Sequence, residues 1–477
     1  MKAETVALPS QEKTVHSAAY LWMVSLVVGL SGLMFGLDSA VISGAIDLIK
    51  SQFGLNPDQE GWVVSSAMVG CIAGVVCAGW ISDRFGRKPA LLIAGFLFLI
   101  SLSGSMLANS TSLLALMRLV GGLGIGFSSV VSPMFISETA PAKTRGRMVS
   151  LYQLAITVGI LLAFFSNALI IYWGGSANPD ATPDFLNRIF VAEPWRGMFG
   201  ACALPCVVYV VCAFFLPESP RWLMKQGKEA DAKAVLERFI GATEAEGQLQ
   251  EMKQALQEVQ EDVSLLALVR SRSLRRPLFI GCFLSIVGAF SGINAIMYYA
   301  PKIFQTAGLG AHGAHTATVI IGVFNIIFTI MALLWVDRLG RRPLMLGGVA
   351  GVLVALTAAG AVFYFQVANP WWVLIPLLTH VTFFAFSYGS CGWIITSEIF
   401  PTRVRGRAAS TCIFFGWSSG FVLAQTFPRL LESVGGAGTF WIYGAITLVA
   451  LVFVYKAVPE TKGKTLEEIE YHWTRNA

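Results

Sequence analysis

Two ionisable side chains stand where a chain ordinarily avoids them. Asp38 lies inside the apolar run SGLMFGLDSAVISGA and Arg118 inside LLALMRLVGGLGIG. Charge within a long apolar segment is costly and persists where it faces a partner or a water-filled cavity. Opposite in sign and close in the chain's first half, the two are natural partners. Burial favours the neutral acid while an adjacent guanidinium favours the carboxylate, so such a pair is suited to taking up and releasing a proton. Other chemistry finds little support. The eight cysteines (Cys71, Cys77, Cys202, Cys206, Cys212, Cys282, Cys391, Cys412) all sit in apolar stretches, and none stands at metal-ligand spacing with any of the five histidines. They read as small buried hydrophobes. No nucleophile–base constellation is present, so no enzymatic reaction, metal or cofactor is expected.

The elements that carry Asp38 and Arg118 must be membrane helices. Of 477 residues, 55% are hydrophobic and only 13% charged, against about 25% charged in a soluble domain, and the mean hydropathy is +0.66. One crossing takes about 20 apolar residues. Stretches of that length fall near 20–43, 61–82, 90–108, 112–136, 148–172 and 197–216, then near 277–300, 316–336, 343–365, 371–397, 408–428 and 439–457. The N-terminus is polar through Lys13 with no cleavage signature after the first stretch, which therefore reads as a retained span. Between the two sets, KQGKEADAKAVLERF and EGQLQEMKQALQEVQED read as short soluble helices. The expected division is a tail (1–17), a six-helix bundle (18–217), a helical linker (218–276), a second bundle (277–458) and a tail (459–477).

The net charge of +6 does not point to a nucleic acid, because the basic residues gather in short loops. Arg84, Arg87 and Lys88 follow the second span, and Lys143, Arg145 and Arg147 the fourth. Arg338, Arg341 and Arg342, then Arg403, Arg405 and Arg407, repeat the arrangement in the second set. The positive-inside rule places these loops, both termini and the linker in the cytoplasm. The loops also expose a duplication. Asp83-Arg84-Phe85-Gly86-Arg87-Lys88 recurs as Asp337-Arg338-Leu339-Gly340-Arg341-Arg342, and Glu138-x-x-Pro141-x-x-x-Arg145-Gly146 as Glu398-x-x-Pro401-x-x-x-Arg405-Gly406. Pro217-Glu218-Ser219 is echoed by Pro459-Glu460-Thr461. Two parallel six-span halves with a site between them near the midplane are the arrangement of a carrier.

With these motifs and Pro217-Glu218-Ser219-Pro220-Arg221-Trp222-Leu223, Gly292-x-Asn294-x-x-x-Tyr298-Tyr299-x-Pro301 and Pro459-Glu460-Thr461-Lys462-Gly463 in order, the chain resembles the sugar porter branch of the major facilitator superfamily from about residue 20 to residue 470. Bacterial proton-linked pentose and hexose symporters are the nearest in pattern. The resemblance implies an all-α membrane protein of twelve transmembrane helices in two pseudo-symmetric six-helix bundles with cytoplasmic linker helices. It implies a monomer in a bacterial inner membrane whose partners are a sugar or sugar-like small molecule, protons and the lipid bilayer. It makes Asp38 and Arg118 the proton-coupling pair, and Gln153, Asn294, Tyr298, Asn325, Trp393 and Trp417 the substrate contacts. A cytoplasmic gate would consist of Asp83, Arg84, Arg87, Glu138, Arg145 and Glu218, with Asp337, Arg341, Glu398, Arg405 and Glu460. Within it Glu138 would pair with Arg87, Arg145 with Glu218, Glu398 with Arg341 and Arg405 with Glu460, locking the halves when the site faces outward.

The chain also departs from the branch. Gly288-Ala289 replace a Gln-Gln pair in the seventh span, Ile160 and Gly416 replace glutamines, Gly420 an asparagine, and Gly389-Ser390 a Gly-Pro. A further acid found in some members is Cys202. Fewer amides and more room suggest a modified sugar, glycoside, cyclitol, or aromatic or organic-acid metabolite as alternatives to an ordinary sugar, and a facilitative uniporter as the alternative mechanism. His380 in the tenth span is a candidate contributor to the site, with a satisfied interior histidine the preferred reading, and the sequon Asn109-Ser110-Thr111 sits in a loop too short to be persuasive.

Overall fold

Runs this long and apolar satisfy their backbone only as helices when water is absent, and helices account for almost all of the protein. The computed structural model describes residues 11–141, 144–176, 183–257, 271–367, 369–400 and 404–462. The first six crossings are α1 (Gln11–Phe53), α2 (Pro57–Phe85), α3 (Arg87–Leu107), α4 (Thr111–Thr139), α5 (Arg145–Ser176) and α6 (Pro194–Phe214). Three short helices follow: α7 (Pro220–Lys225), α8 (Glu229–Ile240) and α9 (Ala242–Gln257). The second set is α10 (Arg272–Ala289) with α11 (Ile293–Thr306), α12 (Ala311–Leu339), α13 (Arg341–Tyr364), α14 (Leu374–Phe386) with α15 (Trp393–Glu398), and α16 (Arg405–Ala457). Among the described residues no strand occurs.

Among the described residues, eleven helical stretches are long and apolar enough to cross a membrane. The last of them, 52 residues long, is two crossings that meet at Gly435, whose φ of 70° and ψ of 178° break the helix. The chain thus crosses twelve times. α10 and α11 make one interrupted crossing, and α14 and α15 another, joined by a π-helical turn at Tyr388–Gly392.

Within the first half, α2 and α4 pack along Gly70, Gly74, Gly122 and Gly126. A Cβ on Gly122 would lie 1.8 Å from the Ala67 carbonyl and one on Gly70 2.0 Å from that of Leu119. Small residues four apart let two membrane helices touch backbone to backbone. The halves meet along α2 with α16, α5 with α12, and α1 with α11. Large apolar side chains such as Leu26, Leu204, Leu334 and Val354 remain exposed on the outside, where lipid tails would cover them. The linker helices are amphipathic instead. Ala232, Leu236 and Phe239 of α8 are buried, and Phe239 stacks on Tyr20 at the start of α1. Among the cysteines Cys77 is exposed rather than buried, and Cys212 and Cys282 are half-buried.

Candidate functional site

The helices α1 and α4 bring Asp38 and Arg118 together in the interior. Arg118 Nη1 lies 3.1 Å from Asp38 Oδ2 and donates to the Asp38 backbone carbonyl at 2.6 Å. Ser101 on α3 donates to Oδ1 at 3.2 Å. The side chains are 0% and 1% exposed, so this is a closed ion pair away from lipid. Gly121 makes the space, since a Cβ there would stand 2.8 Å from Oδ1. Arg118 Nε has no partner. The pair also faces the other half: Tyr298 on α11 lies within the field of both charges and beside Ser39 of α1. Cys202, at the position of the additional acid, lies within the field of Asp38 as well.

The expected substrate residues occupy both halves: Gln153 on α5, Asn294 and Tyr298 on α11, Asn325 on α12 and Trp417 on α16. Gln153, Asn294 and Trp417 are half-buried; Tyr298 and Asn325 are buried. Trp417 approaches Phe35 of α1 at 5.9 Å between ring centroids. Among the described residues, the amides of Gln153, Asn294 and Asn325 make no hydrogen bond within the protein. Each therefore keeps donors and an acceptor for something else. The side chain of Trp393 lies outside the described residues.

The room expected from the lost amides is largely taken. A Cβ on Gly288 would meet the Tyr388 ring at 3.1 Å, and one on Gly420 the Asn294 amide at 3.2 Å and Met68 at 3.3 Å. Only at Gly416 is the nearest neighbour, Ser285, at an ordinary 3.5 Å. Tyr388, not empty space, borders the seventh span where a glutamine pair would project.

The duplicated motifs fold into duplicated geometry. Arg87 grips Glu138 through Nη2 at 2.9 Å and Nε at 3.0 Å, and Arg341 holds Glu398 at 3.2 Å. Ser219 and Thr461 donate to the second oxygens of these same carboxylates. Glu218 accepts from the backbone N–H of Arg87 and Lys88, and Glu460 from those of Arg341 and Arg342. Each caps the N-terminus of the third crossing in its half, where free N–H groups and the helix dipole favour an anion. The caps differ. Burial holds Glu218 above the usual carboxylate range despite its backbone donors, whereas at Glu460 burial is outweighed by the N–H groups of Lys462, Arg341, Arg342 and Thr461, which hold it below. Asp83 reaches Arg87 at 3.1 Å, and Arg84 lies over the Trp80 ring. The side chains of Arg145, Asp337 and Arg405 lie outside the described residues. All the described contacts stay within one half, so in this conformation they brace each bundle and do not join the two.

Gly86 and Gly340 carry the chain into these caps at φ 107° and 92°, and a Cβ would lie 2.2 Å from Glu218 and 2.8 Å from Glu460. We expect Gly86→Ala to lower the thermal midpoint of detergent-purified protein by more than Gly340→Ala. A left-handed backbone costs a side chain about 1–2 kcal/mol, and the first site adds the tighter clash.

What joins the halves lies at the opposite end and was not anticipated from the sequence. Glu60 of α2, 0% exposed, binds Lys302 of α11 and, at 3.0 Å, Lys50 of α1. Lys50 also meets Glu432 of α16 at 2.9 Å. Ser65 donates to Gln425 at 2.8 Å, and Gly61 abuts the Gln425 carbonyl, 2.3 Å from where a Cβ would sit. At the basic-loop end the halves part instead. A cleft of about 640 Å³ opens between α2 and α16, lined by Val75, Trp80, Asp83, Arg407, Phe414 and Trp417 among others. One signal could have exposed the closed end: Lys302 is an isolated basic residue just past the apolar stretch near 277–300, on the side where the loops are poor in basic residues.

Two bundles, a buried acid–guanidinium pair and a cleft opening at one end are joined by a family match: the profile described as "Sugar (and other) transporter" covers residues 24–473. The chain belongs to this family. It is 38% identical over 465 residues to the arabinose-proton symporter of Bacillus subtilis (strain 168), covering 96% of each chain. To the D-xylose-proton symporter of Escherichia coli (strain K12) it is 35% identical over 492 residues, covering 96% of this chain and 97% of that one. Among solved structures it resembles the partially occluded inward open conformation of the xylose transporter XylE from E. coli, with TM-score 0.81 and 34% identity over 94% of this chain and 100% of that one. It also resembles XylE bound to 6-bromo-6-deoxy-D-glucose, with TM-score 0.75 and 35% identity over 96% and 100%. Members of this family are transporters, and this chain is a multi-pass membrane protein of that kind.

Proposed function

We propose that the protein imports a sugar together with a proton by alternating access, and that both termini and the linker are cytoplasmic. The carrying observation is the fully buried Asp38–Arg118 pair, whose charges act on Tyr298 of the other half, so that a proton site stands beside a substrate residue. The arabinose, D-xylose and galactose symporters similar to the chain support the same reading. With basic loops inside, the open cleft faces the cytoplasm and the Glu60–Lys302 contact closes the outside.

The cycle follows from the contacts. A charged Asp38 holds Arg118 by attraction, and a proton arriving from outside removes it, freeing the two helices to adjust. Each inward positive charge gains about 2.3 kcal/mol per 100 mV of membrane potential. The free amides of Gln153, Asn294 and Asn325 receive sugar hydroxyls, and Trp417 with Trp393 offers ring faces. Tyr388 beside Gly288 replaces two amides with an aromatic edge, favouring a sugar or sugar derivative with a less polar face there. The acidic and basic residues of the duplicated loops, including Arg145, Asp337 and Arg405, form the cytoplasmic gate.

Proteoliposomes with an imposed proton gradient and labelled L-arabinose, D-xylose and D-galactose test this. One proton per sugar at 100 mV supports roughly fifty-fold accumulation, collapsed by a protonophore. Flux that equilibrates without concentrating, indifferent to the protonophore, would make the protein a uniporter. Absence of flux for all three would remove these sugars as substrates.

A further inference from the structure

The seventh crossing is broken between α10 and α11, at Phe290, Ser291 and Gly292. Gly292 sits at φ 93° in the left-handed region, which leaves the Ser291 carbonyl turned out of the regular helical ladder. That carbonyl meets His380 of α14, whose Nε2 lies 2.8 Å away. A carbonyl only accepts, so Nε2 carries the proton and Nδ1 is bare. His380 is 1% exposed, its Nδ1 finds no partner, and its ring lies parallel to Phe384. Leu356 and Tyr443 close around Gly292 from the other sides, at 3.6 Å from where a Cβ would be. A wholly buried polar ring with half its hydrogen-bonding capacity unmet is a costly way to fill space. A phenylalanine would pack there more cheaply.

We propose that His380 is a positioning residue for transport: its bond to Ser291 ties α14 to the break in the seventh crossing and sets the angle at which α11 presents Asn294, Tyr298 and Lys302. α11 carries two substrate residues and the lysine of the outer contact, so its tilt links the site to closure. The break supplies the hinge, because a φ change at Gly292 meets no side chain of its own. The bond to His380 then decides how readily that hinge turns. This rests on the transport reading above.

Three substitutions separate the roles. His380→Phe keeps the ring and loses the donor. His380→Gln places an amide N–H near the Nε2 position, and His380→Asn reaches only the Nδ1 position. Each is measured for sugar uptake, for sugar affinity of the purified protein, and for labelling of Thr306→Cys, at the end of α11, by an impermeant thiol reagent. The expected result for His380→Phe is turnover down about tenfold, as for one buried hydrogen bond, with altered Thr306→Cys labelling and affinity nearly unchanged. His380→Gln should recover most of the loss and His380→Asn none of it. Wild-type turnover and labelling in His380→Phe, or equal loss in His380→Gln and His380→Asn with lowered thermal midpoints, would overturn the proposal. Should His380→Phe fail to fold, the contrast of Gln with Asn still decides. If no sugar is carried by the unsubstituted protein, the transport reading fails by itself, and the labelling measurement still decides the hinge.

Discussion

Asp38→Asn protein will equilibrate sugar across the membrane and will not concentrate it. In the present conformation the carboxylate takes Arg118 on one oxygen and Ser101 on the other; asparagine keeps one acceptor, its Oδ1, for Arg118 and meets the Ser101 hydroxyl with an amide N–H, without ever changing charge. The backbone carbonyl of residue 38 continues to hold Arg118, as it does now at 2.6 Å. The site therefore survives in shape while losing its titratable member. Accumulation driven by one proton at 100 mV should fall from roughly fifty-fold to none, while sugar exchange under equal concentrations stays within about tenfold of wild type. Stability should drop, because Arg118 is left as a buried charge without its counter-ion, a change typically costing about 3–5 kcal/mol. Asp38→Glu is a poor substitute for a different reason. The carboxylate already sits where a Cβ on Gly121 would be only 2.8 Å away, and an extra methylene has nowhere to go. Uphill uptake at the wild-type level by Asp38→Asn would remove the pair from the coupling mechanism.

That pair was legible from the order of residues alone, since an acid and an arginine inside apolar runs call for each other. The duplicated loops were legible for a similar reason: Glu138 and Glu398, Glu218 and Glu460 occupy matching places in two copies, and the copies fold to matching hydrogen bonds. Other features depend on neighbours that a linear reading does not see. The seventh crossing reads as one apolar stretch, and its break is marked only by Gly292 reaching a positive φ. The interval between the last two spans reads as a loop, yet Gly435 turns the chain with a single residue's dihedral change and the helix resumes. Gly288 and Gly420 suggested space, which Tyr388 and Asn294 reach from other helices to fill. The contact that joins the halves was hidden because Glu60 and Lys302 sit near the ends of apolar stretches, where charges normally face water. Folding instead brings the two together across the halves and excludes water from the carboxylate.

Because Glu60 is wholly buried against Lys302, Glu60→Gln should open the closed end. The carboxylate joins α2 of one half to α11 of the other and takes Lys50 on its second oxygen. Neutralising it strands Lys302, itself only 13% exposed, opposite an amide. Breaking one member of a buried pair costs about 3–5 kcal/mol, and here the cost falls on the state in which the outer end is shut. A shift of about 3 kcal/mol changes a two-state ratio by more than a hundredfold, enough to invert a conformational balance of a few kcal/mol. The neighbouring Arg429–Asp58 contact, 3.5 Å long and exposed on both sides, should matter far less, as surface pairs contribute about 0–1 kcal/mol. Ser65→Cys is the probe, since Ser65 is buried beneath Gln425 when this end is closed. Labelling of that cysteine by an impermeant reagent should rise sharply with Glu60→Gln and barely with Asp58→Asn. The double change Glu60→Met with Lys302→Met should restore protection, because an apolar pair of similar volume closes without a desolvation cost. Unchanged labelling in Glu60→Gln would mean that apolar contacts such as Trp62 with Phe421 hold the halves together, and that the charges merely occupy the seam.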